Sequence, residues 1–257
     1  MRIIDLSTPV DAASFEPNPV RHEVLSPAAG ARHMSEQMRT HFGLELDPSA
    51  LPDAEFLSLD TLTLTTHTGT HVDAPSHYGS TASYGTPRNI DEMPLDWFVG
   101  PGCVLDATGE PVGALDAGWI REALRRIDHS VQPGDIVLLH TGAAALSGTE
   151  QYFSQFVGLD ASAVHVLLDL GVRVIGTDAF SLDAPFSHII KEFTETGDRE
   201  VLWPAHFAGR AREYCQLERL GNLDALPGPT GFQICCFPVK IAGAGAGWTR
   251  AVALIDE

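Results

Sequence analysis

The residues best suited to chemistry lie together between His67 and His77, in the run His-Thr-Gly-Thr-His-Val-Asp-Ala-Pro-Ser-His. Three imidazoles and one carboxylate, those of His67, His71, Asp73 and His77, fall within this single stretch. Nitrogen and oxygen donors at that density suit a divalent cation such as Zn²⁺ or Mn²⁺. Core packing explains them poorly, because four polar side chains buried together would each need a partner. Three surface histidines beside a solvated aspartate are the plain alternative. Upstream, residues 56–66 set Leu57, Leu59, Leu62 and Leu64 among Ser, Asp and Thr, a strand pattern. Gly69, Thr70, Val72 and Pro75 disfavour a helix, so the four-residue spacing of His67 and His71 is not read as one helical face. The expectation is a strand end rolling into a bend. His67, Gly69, His71 and Asp73 then project to one side at the strand period of two, and Pro75 fixes the bend that carries His77 back towards them.

The pattern His-x-Gly-Thr-His-x-Asp-x-Pro-x-His resembles the signature of the cyclase family that includes bacterial kynurenine formamidase, isatin hydrolase and several aromatic polyketide cyclases. The resemblance implies one or two divalent ions per chain. His67, His71 and Asp73 would hold the first, and Asp73 would bridge to a second held by His77 with a later His and Glu. That later pair is carried over to His206 and Glu218, twelve positions apart and followed by Asn222-Leu223. The stretch after His206 is more polar than the family's apolar run, so Glu213 is a rival acidic ligand, although the spacing favours Glu218. Without the resemblance, Glu218 reads as a solvated helix charge. Gly176-Thr-Asp-Ala-Phe-Ser181 resembles a family Gly-x-Asp-x-x-Ser block. It makes Asp178 and Ser181 candidate substrate or supporting groups, with a turn-capping aspartate the alternative for Asp178. Trp248, at the exit of the Gly243–Gly247 run, is a third candidate substrate contact. The glycine run is no dinucleotide fingerprint, because no helix pattern follows it.

By resemblance the fold is α/β, a mixed-sheet swivelling β/β/α domain of the kynurenine formamidase/cyclase type, and the assembly is a homo-oligomer, a dimer or tetramer. A single domain spans 1–257, with elaborations at about 17–54 and 183–203. The chain's own pattern is compatible. Residues 2–10 read as a first strand ended by Pro9. Ala31, Met34, Met38 and Phe42 recur at helical spacing over 28–42. Residues 78–94 are rich in Gly, Ser, Thr and Pro and read as a surface loop. Residues 102–107 and 136–140 read as strands, the second an apolar run suited to a buried position. Asp116 can cap a helix over 117–127, and a second helix runs from Asp160 to about Leu170, closed by Gly171. Residues 172–177 form another strand, and the tail from Phe232 to Ile255 reads as two more.

The balance of 16 basic against 34 acidic residues gives a net charge of −18. It argues against nucleic acid, which needs a basic face, and against an anionic membrane surface. Cys103, Cys215, Cys235 and Cys236 match no zinc-knuckle spacing and read as reduced, mostly buried thiols of a cytoplasmic protein. No signal-peptide block follows Met1, and no apolar run is long enough to span a bilayer. The implied partner is a small molecule, aromatic or apolar.

A bound divalent ion brings the pKa of water down to about 7, which suits amide or lactam hydrolysis. The same Lewis acidity can stabilise an enolate for ring closure. His77 and His206 are the candidate catalytic proton carriers. Phe15, Met34, Met38, Phe42, Trp203, Phe207 and Trp248 offer apolar surface that favours a large ligand, hence ring closure on an aromatic polyketide intermediate. The alternative is hydrolysis of an N-formyl amide or lactam. A ligand-binding relative without catalysis is the third reading.

Overall fold

The apolar run Ile136-Val137-Leu138-Leu139 forms the fifth of nine strands in a mixed sheet, counted over residues 1–256, which the computed structural model describes. In chain order the strands are β1 (Arg2–Asp5), β2 (Arg21–Leu25), β3 (Leu59–Thr63), β4 (His71–Asp73), β5 (Val99–Asp106), β6 (Gly113–Leu115), β7 (Ile136–His140), β8 (Val157–Leu159), β9 (Val174–Thr177), β10 (Cys215–Glu218), β11 (Gln233–Cys235), β12 (Ala246–Trp248) and β13 (Val252–Ile255). The helices are α1 (Pro27–Phe42), α2 (Ala117–Arg126), α3 (Ala161–Asp169), α4 (Phe186–Thr196) and α5 (Pro204–Ala208).

The large sheet has the order β1-β13-β11-β5-β7-β9-β10-β4-β12. Its centre, β5-β7-β9-β10, is parallel, and the flanking pairs are antiparallel. Both faces of β7 are covered, as its unbroken apolar sequence requires. Val137 and Leu139 enter one core with Ile120 of α2 and Leu167 of α3. Ile136 and Leu138 enter the opposite core with Phe98, Leu217 and Ile234. The expected α/β class with a mixed sheet is the observed one.

Local chemistry sets the helix ends. The Asp116 carboxylate accepts from the Trp119 amide (2.9 Å) and that of Asp160 from the Ala163 amide (2.8 Å), so each satisfies an otherwise unpaired donor. Gly171, at φ +89°, turns the chain after α3. The tail, expected as two strands, forms three short ones, and α4 lies within the expected elaboration at 183–203. No helix among the described residues is long and apolar enough to cross a membrane.

The chain divides into two units, one of residues 1–10, 14–16 and 66 onward, the other of residues 11–13 and 17–65. The second unit pairs β2 with β3 in an antiparallel ribbon and carries α1. Ser26 caps α1, Pro27 opens it and Gly43 closes it at φ +64°. Phe42 is exposed, and Ala31 is the buried member of the apolar set expected over 28–42.

A close approach in the first unit fixes the backbone around Asp183. β8 pairs with β6, and Leu159 donates its amide to the Leu182 carbonyl (2.7 Å). A Cβ at Gly158 would overlap the Asp183 carbonyl and the Ala184 nitrogen, both backbone atoms. Gly158→Ala is therefore expected to destabilise the protein by about 1–3 kcal/mol. Urea unfolding checks this, and an unchanged midpoint would show that the 183–184 backbone yields freely.

Candidate metal centre

Strand β4 lies between β10 and β12, and its register with β10 builds the site. Val72 stands opposite Leu217, His71 opposite Glu218 and Asp73 opposite Gln216. Directly opposed residues share a face. Val72 and Leu217 therefore point into the core, where both are fully buried, while His71, Asp73, Gln216 and Glu218 gather on the other face. The period-two expectation holds for His71 and Asp73. It does not hold for His67 and Gly69, which precede the strand in a turn, with Gly69 at φ +71°. The left-handed glycine folds the turn back, and this rather than strand alternation brings His67 to the site. Pro75 opens a 3₁₀ turn, Pro75–Tyr78, that places His77. His206 comes from α5.

These side chains converge on Asp73. His67 Nδ1 lies 3.0 Å and His71 Nε2 3.4 Å from Asp73 Oδ1. On the other side, His206 Nε2 lies 3.8 Å and His77 Nε2 4.0 Å from Asp73 Oδ2. Glu218 Oε2 is 3.7 Å from His71 Nε2. Glu213, the rival acid, instead makes a two-pronged ion pair with Arg88 at 2.7 and 2.5 Å. The donor atoms fall into two sets, His67 with Asp73 and His77, and His71 with Asp73 and Glu218, each within 4.8 Å. The resemblance grouped the acidic ligand with His77; the geometry groups Glu218 with His71.

The electrostatics of this cluster call for a cation. Both Asp73 carboxylate oxygens are buried without a hydrogen bond. An ion so placed is costly unless compensated. Burial alone would raise the Asp73 pKa, but the charge of His71 and the close approach of His67 hold it well below the usual carboxylate range. Glu218 goes the other way, raised by burial and by the charge of Asp73. Burial, aided by the neighbouring imidazoles, pushes His77 down to about 4. Two carboxylates and four imidazoles gathered at one point fit a divalent cation, whose charge would offset that of the carboxylates.

Supporting contacts orient the ring nitrogens. His71 Nδ1 lies 2.8 Å from the Gly69 carbonyl and donates to it, which turns Nε2, the nitrogen that a cation could take, towards Asp73. Asp183 does the same for His206. Its carboxylate accepts from the amides of Ala205 (2.6 Å) and His206 (3.2 Å) and from His206 Nδ1. Burial works to lower the His206 pKa, but the hydrogen bond and charge of Asp183 outweigh it and raise it to about 9. Tyr78, expected on a surface loop, is instead buried and stacked on Tyr214, with ring centroids 5.4 Å apart. Its hydroxyl accepts from the Gln216 amide (3.0 Å), and the Tyr214 hydroxyl donates to the Ala205 carbonyl (2.6 Å).

Arg219 ties the two ends of the centre together. It is buried and paired with Glu16, and its Nη1 donates to the His67 carbonyl (3.0 Å). Its own carbonyl accepts from Thr70 Oγ1 (2.6 Å) and Thr8 Oγ1 (3.1 Å). Sequence reasoning passes over Asp183 and Arg219 alike. The signals present, an acid two places beyond Ser181 and a base beside Glu218, are uninformative until the chain folds.

The candidate substrate groups part company. Ser181 lines the cavity above the histidines, together with Phe180, Phe186, Trp203 and Phe207. Asp178 does not line it. Its carboxylate accepts from the amides of Thr141 (2.7 Å), Gly142 (2.9 Å) and Ala144 (3.4 Å) and from Thr141 Oγ1 (2.7 Å), so it holds that turn. Trp248, on edge strand β12, lines a separate depression with Val10, Thr70 and Arg250.

Comparison with known proteins matches the Cyclase family over residues 4–184. A kynurenine formamidase of Salinibacter ruber is 30% identical over 207 residues, covering 78% of this chain and 81% of that one. A kynurenine formamidase of Maricaulis maris is 33% identical over 193 residues, covering 74% and 78%. Among solved structures, an isatin hydrolase bound to thioisatinate superposes with a TM-score of 0.75 at 22% identity, covering 99% of this chain and 92% of that one. That likeness speaks for the fold.

Asp183→Asn should keep the Ala205 amide capped through its one carbonyl oxygen and lose the acceptor that holds the His206 ring. Affinity for Zn²⁺ or Mn²⁺, read by chelator competition, is expected to fall about 10–100-fold. Arg219→Lys, which cannot reach Glu16 and the His67 carbonyl together, should lower metal affinity to a similar degree. Wild-type affinity in either variant would show that the contact does not position the ligands.

Proposed function

This chain belongs to the Cyclase family, and we propose that it is a metal-dependent hydrolase cleaving the C–N bond of an aromatic amide, an N-formyl arylamine or a lactam. The observation that carries this reading is the buried Asp73 carboxylate ringed by His67, His71, His77 and His206, imidazoles that line the floor of an aromatic-walled cavity. His67, His71, Asp73, His77, His206 and Glu218 are the residues that would hold one or two divalent ions. When bound, such an ion supplies Lewis acidity towards a carbonyl oxygen and makes water available as a nucleophile near neutral pH.

The chain's own groups do the rest. Phe180, Trp203 and Phe207 receive the aryl ring and exclude bulk water from the floor. Water adds to the carbonyl carbon and gives up a proton. With one ion on His71, Asp73 and Glu218, His77 Nε2 is the proton acceptor, since burial keeps its imidazole neutral at neutral pH. His206, whose pKa Asp183 raises to about 9, is protonated at neutral pH and is the proton donor of the pair. A proton then goes to the amide nitrogen as the C–N bond breaks, giving an amine and a carboxylic acid that loses its proton to solvent, the two remaining in one molecule when the substrate is a lactam. The same aromatic wall would suit ring closure of a polyketide, but the formamidase relatives support hydrolysis.

Purified protein is expected to hydrolyse formanilide, isatin or both, to lose that activity on chelation and to regain it with Zn²⁺ or Mn²⁺. Adding metal at about 100 times its dissociation constant should stabilise the fold by about 2.7 kcal/mol, a shift that thermal unfolding reads without any substrate. His71→Ala should lower kcat/KM at least about a hundredfold. Elemental analysis decides between one ion and two. Turnover that survives complete metal removal would overturn the reading.

A further inference from the structure

The metal centre also reaches a residue far from its ligands in the chain. Residues 14–16 belong to the first unit, although residues 11–13 and 17–65, on either side of them, belong to the second. Backbone and side chains fasten this short strap to the first unit. The Phe15 amide donates to the Gly148 carbonyl (3.0 Å). The Phe15 ring stands edge-on to Phe153, 5.6 Å between centroids. The Glu16 side chain is 10% exposed, and its two carboxylate oxygens accept from Nη1 and Nη2 of Arg219.

Arg219 is held too closely to choose another partner. Its guanidinium, 4% exposed, lies 5.5, 5.9 and 5.8 Å from the ring centroids of Tyr152, Phe153 and Phe180. Its backbone stands at φ +63°, a left-handed conformation uncommon outside glycine. Its amide donates to the Ala179 carbonyl (3.1 Å), and its carbonyl accepts from Thr70 Oγ1 and Thr8 Oγ1, which keeps the backbone there. Among the described residues Glu16 is its carboxylate partner, and a buried cation that loses its counter-ion is strongly disfavoured. Nη1 divides itself between two acceptors, Glu16 Oε2 at 3.1 Å and the His67 carbonyl at 3.0 Å. The two hydrogens on that nitrogen point in fixed directions in the plane of the guanidinium. The carboxylate that orients one hydrogen therefore aims the other at His67.

We propose that, on the reading that the cluster holds a divalent ion, Glu16 is a positioning residue of that centre. It fixes the guanidinium so that Nη1 holds the His67 carbonyl, and the turn so held keeps the His67 imidazole 3.0 Å from Asp73 Oδ1. The effect falls on the set of His67, Asp73 and His77. An ion pair that merely stabilises the fold would leave metal affinity unchanged once stability is restored, and this separates the two roles.

Glu16→Gln keeps the shape of the side chain and removes its charge. It is expected to lower Tm and to weaken Zn²⁺ or Mn²⁺ binding, read by chelator competition, at least about tenfold. Glu16→Leu/Arg219→Met removes both members of the pair, so Tm should return towards that of wild type, while affinity stays at least about tenfold below it. Wild-type affinity in Glu16→Gln would overturn the proposal. So would affinity in the double variant that recovers together with Tm, and this second comparison decides if Glu16→Gln does not fold. A third readout needs no metal. In the metal-free protein the imidazole Cε1–H NMR signal of His67 is expected to shift in each folded variant, while that of His129, outside the centre, stays in place. An unmoved His67 signal overturns the proposal. If wild-type protein binds neither ion, the metal reading falls separately and this signal alone decides the role of Glu16.

Discussion

The structure depends on one buried carboxylate that the chain itself does not satisfy. Asp73 is fully buried, and neither of its oxygens accepts a hydrogen bond. Leaving an ion in that condition would cost several kcal/mol. The imidazoles and carboxylate around it form a donor set that could hold a divalent cation. Four imidazoles approach Asp73 within 4.0 Å, and Glu218 stands across the strand pair from His71. The register between β4 and β10 is fixed by Val72 and Leu217 packing into the core on the reverse face. A slip of one residue would send the ligands into that core, so the apolar packing and the ligand geometry are one constraint.

Rigidity around the cluster comes from contacts that are themselves buried and polar. Asp183 caps α5 and fixes the ring of His206 in the same gesture. The stacked pair of Tyr78 and Tyr214 uses its two hydroxyls to join β10 to the 204–208 helix and the 3₁₀ turn of His77. Arg219 links the His67 turn to the residue following Glu218. Each contact trades desolvation for orientation, which is what ligands need if a metal is to be held in one geometry.

Above the cluster the chemistry changes abruptly from polar to aromatic. A floor of imidazoles and carboxylates beneath an aromatic wall suits a substrate with a polar bond to break and a flat apolar body to grip. Family membership and the formamidase relatives agree with an amide as that bond.

Much of this was legible in the sequence, because much of it is local. The caps of α2 and α3, the buried run of β7 and the clustering of His67, His71, Asp73 and His77 can all be read within short windows or by motif. Other features were not legible, because they depend on partners far apart in the chain. Glu218 and Glu213 are equivalent as letters; only the sheet places one beside His71 and the other on Arg88, 125 residues away. Tyr78 sits in a loop-like stretch and becomes core only when Tyr214 stacks on it. Arg219 finds Glu16 across 203 residues, and Asp183 finds His206 across 23. Sequence alone determined which atoms could bind a cation, since donor chemistry belongs to the residue. Tertiary structure decided which of them share one point in space and which way each lone pair faces, since those depend on strand register and packing that no short window contains.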